Sequence, residues 1–161
     1  MIRAIFACDP AGGIGLNNSM PWQHNHKDML WFRDATLGHV VVMGSGTWFS
    51  DGMPRPLPSR TNVVFSRNTD KIFNGAQLAH GDVVEQLRAI EKQYPQLIIW
   101  VIGGADLLKQ AQSTISEYYI TRIVDEHDCD TLVDVDDMLN GFTCSHLEVV
   151  EDGTKFEIWK R

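Results

Sequence analysis

Apolar stretches rich in β-branched residues alternate along the chain with stretches of helical spacing. Residues 2–8, 39–43, 62–65 and 97–102 read as strands, and the middle two are apolar enough to be buried on both faces. Helices are expected over 28–37 and 82–94, the second with Val83, Leu87, Ile90 and Tyr94 on one stripe. A third follows Gly103-Gly104 and runs through Leu107 and Leu108. That alternation predicts βαβ units around a largely parallel sheet, an α/β class. Residues 118–124, 146–151 and 155–160 read as later strands; Asp152-Gly153-Thr154 joins the last two as a hairpin and so adds an antiparallel edge. The Pro-rich segment 53–59 reads as a stiff loop, and the acidic run 134–137 as a solvated loop or helix start rather than a metal site.

Composition narrows this picture. A chain of 161 residues, 43% hydrophobic, supports one core and is short for two ordinary domains, so a single domain over 1–161 is expected. The longest apolar runs fall far short of the roughly 20 residues that span a bilayer, and no membrane partner is expected. The first residues lack a basic region followed by a long apolar one, so no signal peptide is read there. Three cysteines (Cys8, Cys129, Cys144) cannot all pair and share no metal-ligand spacing, which suits a reducing, cytoplasmic setting. His127 and Cys129 have no second pair at zinc spacing, and His24-Asn25-His26 has only the letters of a nuclease motif; no metal is expected. The formal charge of −7 disfavours a general nucleic-acid binder.

Open α/β sheets bind ligands at the carboxyl ends of their strands. Here those ends read Asp9-Pro10-Ala11-Gly12-Gly13-Ile14-Gly15, Met43-Gly44-Ser45-Gly46-Thr47, Ser66-Arg67 and Gly103-Gly104. Glycine just before a helix leaves backbone N–H groups open to phosphate oxygens, and two such exits with a Ser-Arg exit point to a dinucleotide. The full Gly-rich fingerprint of dinucleotide-binding folds is absent, since Gly44-Ser45-Gly46 lacks its third glycine.

Asp28 stands out on its helix. It shares a stripe with Phe32 and Ala35, with Trp31 beside it. A carboxylate among aromatics is partly desolvated, and its charge is costly unless it meets a donor, such as the N–H pair of a heterocycle. The competing reading is an Asp favoured by the helix dipole, its side chain in water. Helix position alone leaves both open.

Taken in order, Met20-Pro21-Trp22, Asp28, Trp31-Phe32, Met43-Gly44 with Thr47-Trp48, Pro56-Leu57-Pro58 with Arg60, Ile102-Gly103-Gly104 and Tyr119-Ile120-Thr121 resemble the dihydrofolate reductases. The likeness runs from Ile2 to the closing Lys155-Phe156-Glu157-Ile158. It implies a single-domain fold with a mostly parallel eight-stranded sheet, an antiparallel C-terminal edge and helices on both faces. The implied reaction is reduction of 7,8-dihydrofolate to 5,6,7,8-tetrahydrofolate by hydride transfer from NADPH, in support of one-carbon and thymidylate metabolism. By the same resemblance, Asp28 grips the pterin 2-amino and N3 groups and Thr121 supports that carboxylate. Ile5, Phe32, Leu57 and Ile102 wall the rings, and Arg60 pairs with the glutamate tail's α-carboxylate. Met20 and Trp22 lie in a lid, with Trp22 holding a water near Asp28, and Asp130-Thr131 props that lid. Expected cofactor contacts are Ala7, Ile14, Gly15, Asn18, Gly44, Ser45, Gly46, Thr47, Ser66, Arg67, Gly103, Gly104, Ala105, Asp106, Leu107 and Leu108, with a cis Gly103-Gly104 peptide. Expected partners are dihydrofolate and antifolate-type inhibitors, and the protein is expected to be a monomer.

Three departures accompany the likeness. Ser45 stands where relatives often carry Arg, and Asp106 where many carry a basic or neutral residue, leaving Arg67 as the expected cation for the 2′-phosphate. Leu108 replaces an aromatic, and Cys129 stands where a small residue is usual. Extra residues around 51–55 and 23–27 lengthen loops that bear on antifolate sensitivity. The related reductase of riboflavin biosynthesis lacks the Pro-Trp followed by a helix Asp. A nucleotide-binding protein without turnover would need none of Asp28, Trp22, Thr121 and Arg60.

Overall fold

A computed structural model describes residues 1–161. The N-terminal part contributes β1 (Ile2–Cys8), β2 (Gly13–Gly15), α1 (His26–Thr36), β3 (Val40–Gly44), α2 (Ser45–Trp48), β4 (Thr61–Phe65) and β5 (Ala76–Ala79). It continues through α3 (Val83–Gln93), β6 (Ile99–Gly103), α4 (Ala105–Ala111), β7 (Glu117–Arg122), β8 (Thr131–Leu132), α5 (Val135–Met138), β9 (Thr143–Val149) and β10 (Lys155–Lys160). Eight strands form one sheet in the order β5-β4-β3-β6-β1-β7-β10-β9, and β2 pairs with β8 in a separate ribbon. Every neighbour in the main sheet is parallel except β7 with β10 and β10 with β9, so the antiparallel edge expected from the C-terminal pattern is present.

The continuous apolar character of the central strands follows from helices on both faces. Val40 and Val42 join Ala4, Phe6 and Val101 in the core beneath α3 and α4, where Leu87 and Leu108 are fully buried. Val41 and Met43 point the other way, to Ile5, Trp48, Leu57 and Trp100, and α1 lays Trp31, Phe32 and Ala35 over that layer. Each fully buried aliphatic side chain contributes about 1.5–3 kcal/mol. Both long helices start at capping side chains: Asn25 Oδ1 accepts from the Asp28 N–H, and an Asp82 oxygen accepts from Glu85 N–H. Asp134 does the same for α5, so the acidic run is a helix start.

The elements that periodicity marks poorly are one short strand and one exposed strand. β5 has four residues and is defined by its pairing with β4, Asn62 against Ala76. β9 begins at Thr143 rather than 146 and is exposed along its length, so no alternation marks it; antiparallel pairing with β10 creates it. The 53–59 loop is closed by Asn62, whose side-chain oxygen accepts from Leu57 N–H and whose amide donates to Leu57 O, each at 3.0 Å. No helix is long and apolar enough to cross a membrane.

Candidate active site

A cleft of about 1680 Å³ opens at the carboxyl ends of β1, β3, β4 and β6, bounded on its far side by α1 and the segment after β2. The chain crosses from β3 directly into α2 and from β6 directly into α4, and neither helix has a side-chain N-cap. Their glycine starts therefore present bare backbone to the cleft.

At one end lies Asp28. Because Asn25 caps its N–H, the carboxylate need not fold back onto its own helix, and it turns into the protein. Thr121 Oγ1, 93 residues away on β7, donates to Asp28 Oδ1 at 2.6 Å, while Oδ2 takes no hydrogen bond from the protein. Burial raises the Asp28 pKa and the Thr121 hydroxyl offsets part of that rise. The solvent-facing reading of Asp28 is thereby excluded: residues 28, 31, 32, 35 and 36 form the covered stripe of α1.

Ile5, Phe32, Leu57 and Ile102 line the same end of the cleft. Arg60 is oriented from two sides: its Nε donates to Pro58 O at 2.9 Å and an Nη to Thr36 Oγ1 at 3.2 Å, with the guanidinium 5.9 Å from the Phe32 ring centre. Burial, helped by the neighbouring Arg33 charge, lowers its pKa, and a guanidinium remains charged nonetheless.

Residues 16–22 form a strap across the opening. On one side Asn17 N–H donates to Asp130 Oδ2 and Asp130 N–H to Gly15 O, both at 2.9 Å. On the other side the Asn18 amide donates to Phe49 O and Asp51 N–H donates to Asn18 O, at 3.3 and 3.2 Å. Met20 is exposed, whereas the Trp22 indole N–H is buried without a protein partner and its ring meets His127 edge-on at 5.9 Å. An unpartnered buried donor beside a polar cleft is a place for an ordered water.

The opposite end is built of Gly44, Ser45, Gly46, Thr47, Ser66, Arg67 and the 103–107 segment. The Gly103-Gly104 peptide is cis and Gly103 has φ of +130°, a conformation open to glycine. The Thr47 hydroxyl sits above it, where a Cβ on Gly103 or Gly104 would come within 3.6 or 3.8 Å. Arg67 stands in solvent 4.0 Å from Asp106, which also accepts from Gln110 at 2.9 Å. Together these residues fit a dinucleotide: a backbone-lined cradle between two strand ends, with hydroxyls and a cation at its rim.

Comparison with known proteins decides the family. The sequence pattern described as dihydrofolate reductase matches residues 1–156. The chain belongs to the dihydrofolate reductase family. A dihydrofolate reductase of Haemophilus influenzae is 38% identical over 118 residues, covering 73% of this chain and 69% of that one. The type 8 dihydrofolate reductase of Escherichia coli is 28% identical over 165 residues, with 99% and 96% covered. A dihydrofolate reductase from Enterococcus faecalis, solved with NADP(H) and RAB-propyl, superposes with a TM-score of 0.87 at 27% identity, covering 100% of this chain and 96% of that one. The eight-stranded dihydrofolate reductase fold expected from the motifs is borne out.

Of the residues expected at a dihydrofolate reductase site, all but two line the cleft. Thr121 stands behind Asp28 and acts through it. Leu108 is a correction: it is fully buried in the core with Ala111, one helical turn on, because that face of α4 packs on the sheet while Leu107 takes the cleft edge. Lys71 and His80 line the cleft and were not anticipated. Lys71 lies 4.7 Å from the Phe49 ring centre, and His80 Nδ1 is 3.0 Å from Ser66 O. His80 follows β5, so recognising that short strand would have marked it; Lys71 sits in a loop with no local signal.

Proposed function

We infer that this chain reduces 7,8-dihydrofolate to 5,6,7,8-tetrahydrofolate with NADPH, acting as a monomeric, cytoplasmic single domain over residues 1–161. The observation that carries the reading is Asp28: a buried carboxylate in an aromatic-walled cleft, one oxygen held by Thr121 and the other free. A free anionic oxygen at that place suits the 2-amino and N3 hydrogens of a pterin, and Thr121 keeps the carboxylate turned toward them. Ile5, Phe32, Leu57 and Ile102 enclose the rings, and Arg60, already oriented by Pro58 and Thr36, meets the α-carboxylate of the glutamate tail.

Gly44, Ser45, Gly46, Thr47, Gly103, Gly104, Ala105, Asp106 and Leu107 would hold the pyrophosphate region through backbone and hydroxyl donors, with Ser66 and Arg67 toward the 2′-phosphate. Ala7, Ile14, Gly15 and Asn18 would bound the nicotinamide side. When bound, NADPH supplies the hydride that reduces the pterin at C6. The chain's own residues supply position and hold the water that delivers the proton. Met20 and Trp22 cover the rings and exclude bulk water, and the Trp22 N–H keeps one water beside Asp28. The Asp28 charge raises the basicity of pterin N5, which gains its proton from solvent, relayed through that ordered water, rather than from a protein acid. Antifolates that carry a protonated diamino-heterocycle would pair with the same carboxylate.

NADPH oxidation followed by absorbance, with and without dihydrofolate and with NADH in parallel, tests the reading. Oxidation that depends on dihydrofolate and prefers NADPH is expected. Binding of both ligands without oxidation would leave a nucleotide-binding relative that has lost turnover.

A further inference from the structure

Asp9, at the end of β1, is 1% exposed and has no cationic partner. Its two oxygens divide their work between two loops. Oδ1 accepts from Ala11 N–H at 3.0 Å and Gly13 N–H at 2.7 Å, in the turn that leads into β2. Oδ2 accepts from His127 N–H at 2.9 Å and from the Cys129 thiol at 3.7 Å, in the segment that leads into β8. Burial by itself would raise the pKa of this carboxylate, but the His127, Gly13 and Ala11 N–H groups and the thiol outweigh it and hold the group below the usual range.

The two loops are also matched in shape. A Cβ on Gly13 would overlap the Cys129 sulfur, so the Cys129 side chain fills the space that Gly13 leaves. A Cβ on Gly12, at φ +85°, would overlap Val133 O in the same way. The joint lies just ahead of the strap: from it the chain passes through Gly15 and Asn17, both bonded to Asp130, and then covers the cleft with residues 16–22.

We propose that Asp9 is a positioning residue for the lid: by tying the 11–13 turn to the 127–129 segment, it holds residues 16–22 over the cleft. This rests on the reductase reading for its kinetic consequence, though not for its structural one. A carboxylate offers acceptors to all four donors, whereas the amide of Asp9→Asn turns one acceptor into a donor that opposes either the His127 N–H and the Cys129 thiol or the Ala11 and Gly13 N–H groups.

Amide hydrogen exchange on the ligand-free protein tests the structural half. In Asp9→Asn, exchange at Asn17, His127 and Asp130 is expected to rise about tenfold relative to Val41 and Val42 in the central sheet. A rise shared equally by all these amides, or no rise, overturns the proposal. Single-turnover hydride transfer tests the kinetic half: a fall of about fivefold or more is expected, with dihydrofolate affinity held within about twofold, because Asp28 and Arg60 are untouched. Unchanged transfer, or a parallel loss of affinity, overturns it.

Where Asp9→Asn does not fold, Cys129→Ala and Cys129→Ser replace it. Alanine removes one donor and should speed exchange at His127 and Asn17 about two- to threefold, while serine keeps a donor and restores it. Equal exchange in both variants overturns the proposal. If the wild-type protein shows no dihydrofolate-dependent oxidation, the functional reading fails, and the exchange result still decides whether Asp9 holds the strap.

Discussion

At the α1 end of the cleft, Asp28 is buried and Arg60 half-buried, each already bonded to a neighbour. At the opposite end, Arg67 and Asp106 stand in solvent, and their mutual distance is 4.0 Å. The first arrangement is costly to build, since a buried charge must be compensated, and it returns geometry that a ligand does not have to impose. The second costs little and is screened by water and salt, so each group there adds little. Substitutions at the buried end should therefore change the rate or binding by orders of magnitude, and those at the exposed end by small factors. Equal effects at both ends would mean that burial does not set what each charge contributes.

The largest effect is expected for Asp28→Asn, with kcat at neutral pH falling about 10²–10⁴-fold. Lowering the pH should restore part of the rate, because a substrate protonated at N5 by solvent needs less help; wild-type-like turnover at neutral pH would remove Asp28 from the mechanism. Stability should move the other way. The native pKa of Asp28 is raised, so between the unfolded carboxyl's pKa and the native one the native state binds the extra proton and wild-type stability falls as pH rises. Asp28→Asn removes that penalty, and its thermal midpoint at neutral pH should equal or exceed that of the wild type.

Next comes Arg60→Leu, expected to raise the dihydrofolate KM about 10- to 100-fold at nearly constant kcat, as loss of a charge-assisted pair does. Thr121→Val is expected to lower activity at neutral pH about tenfold. It should also shift the acid limb of the rate profile to higher pH, because the hydroxyl favours the charged carboxylate and its loss leaves burial unopposed. A profile that does not move would place Thr121 outside the support of Asp28.

The smallest effects belong to the exposed end. Arg67→Ala should raise the NADPH KM about three- to tenfold and leave that for NADH unchanged, while Asp106→Asn should lower the NADPH KM about two- to threefold. Both effects should shrink in high salt. No change for NADPH in Arg67→Ala would transfer the 2′-phosphate to Lys71 or His80, which line the same end.

How much of this was legible depended on the length scale of the signal. β1, β3, β4 and β6 and the two long helices lie within two residues of where periodicity puts them, since alternation and helical spacing are properties of neighbouring residues. The covered stripe of α1 was readable for the same reason, and with it the unusual setting of Asp28. Leu108 was misassigned because its role depends on which side of α4 meets the sheet. Lys71 and His80 were missed because the strand and loop that deliver them have no local pattern.

The α/β alternation, the antiparallel finish, the glycine exits at the strand ends and an aspartate among aromatics are all patterns that a few consecutive residues can express. That Thr121 reaches Asp28 across 93 residues, that one oxygen of Asp28 stays free, and that Asp9 meets His127 across 118 residues are facts of the folded chain alone. Hydrogen bonds and desolvation act over a few ångströms of space, and that closeness exists only once the strands have taken their order in the sheet.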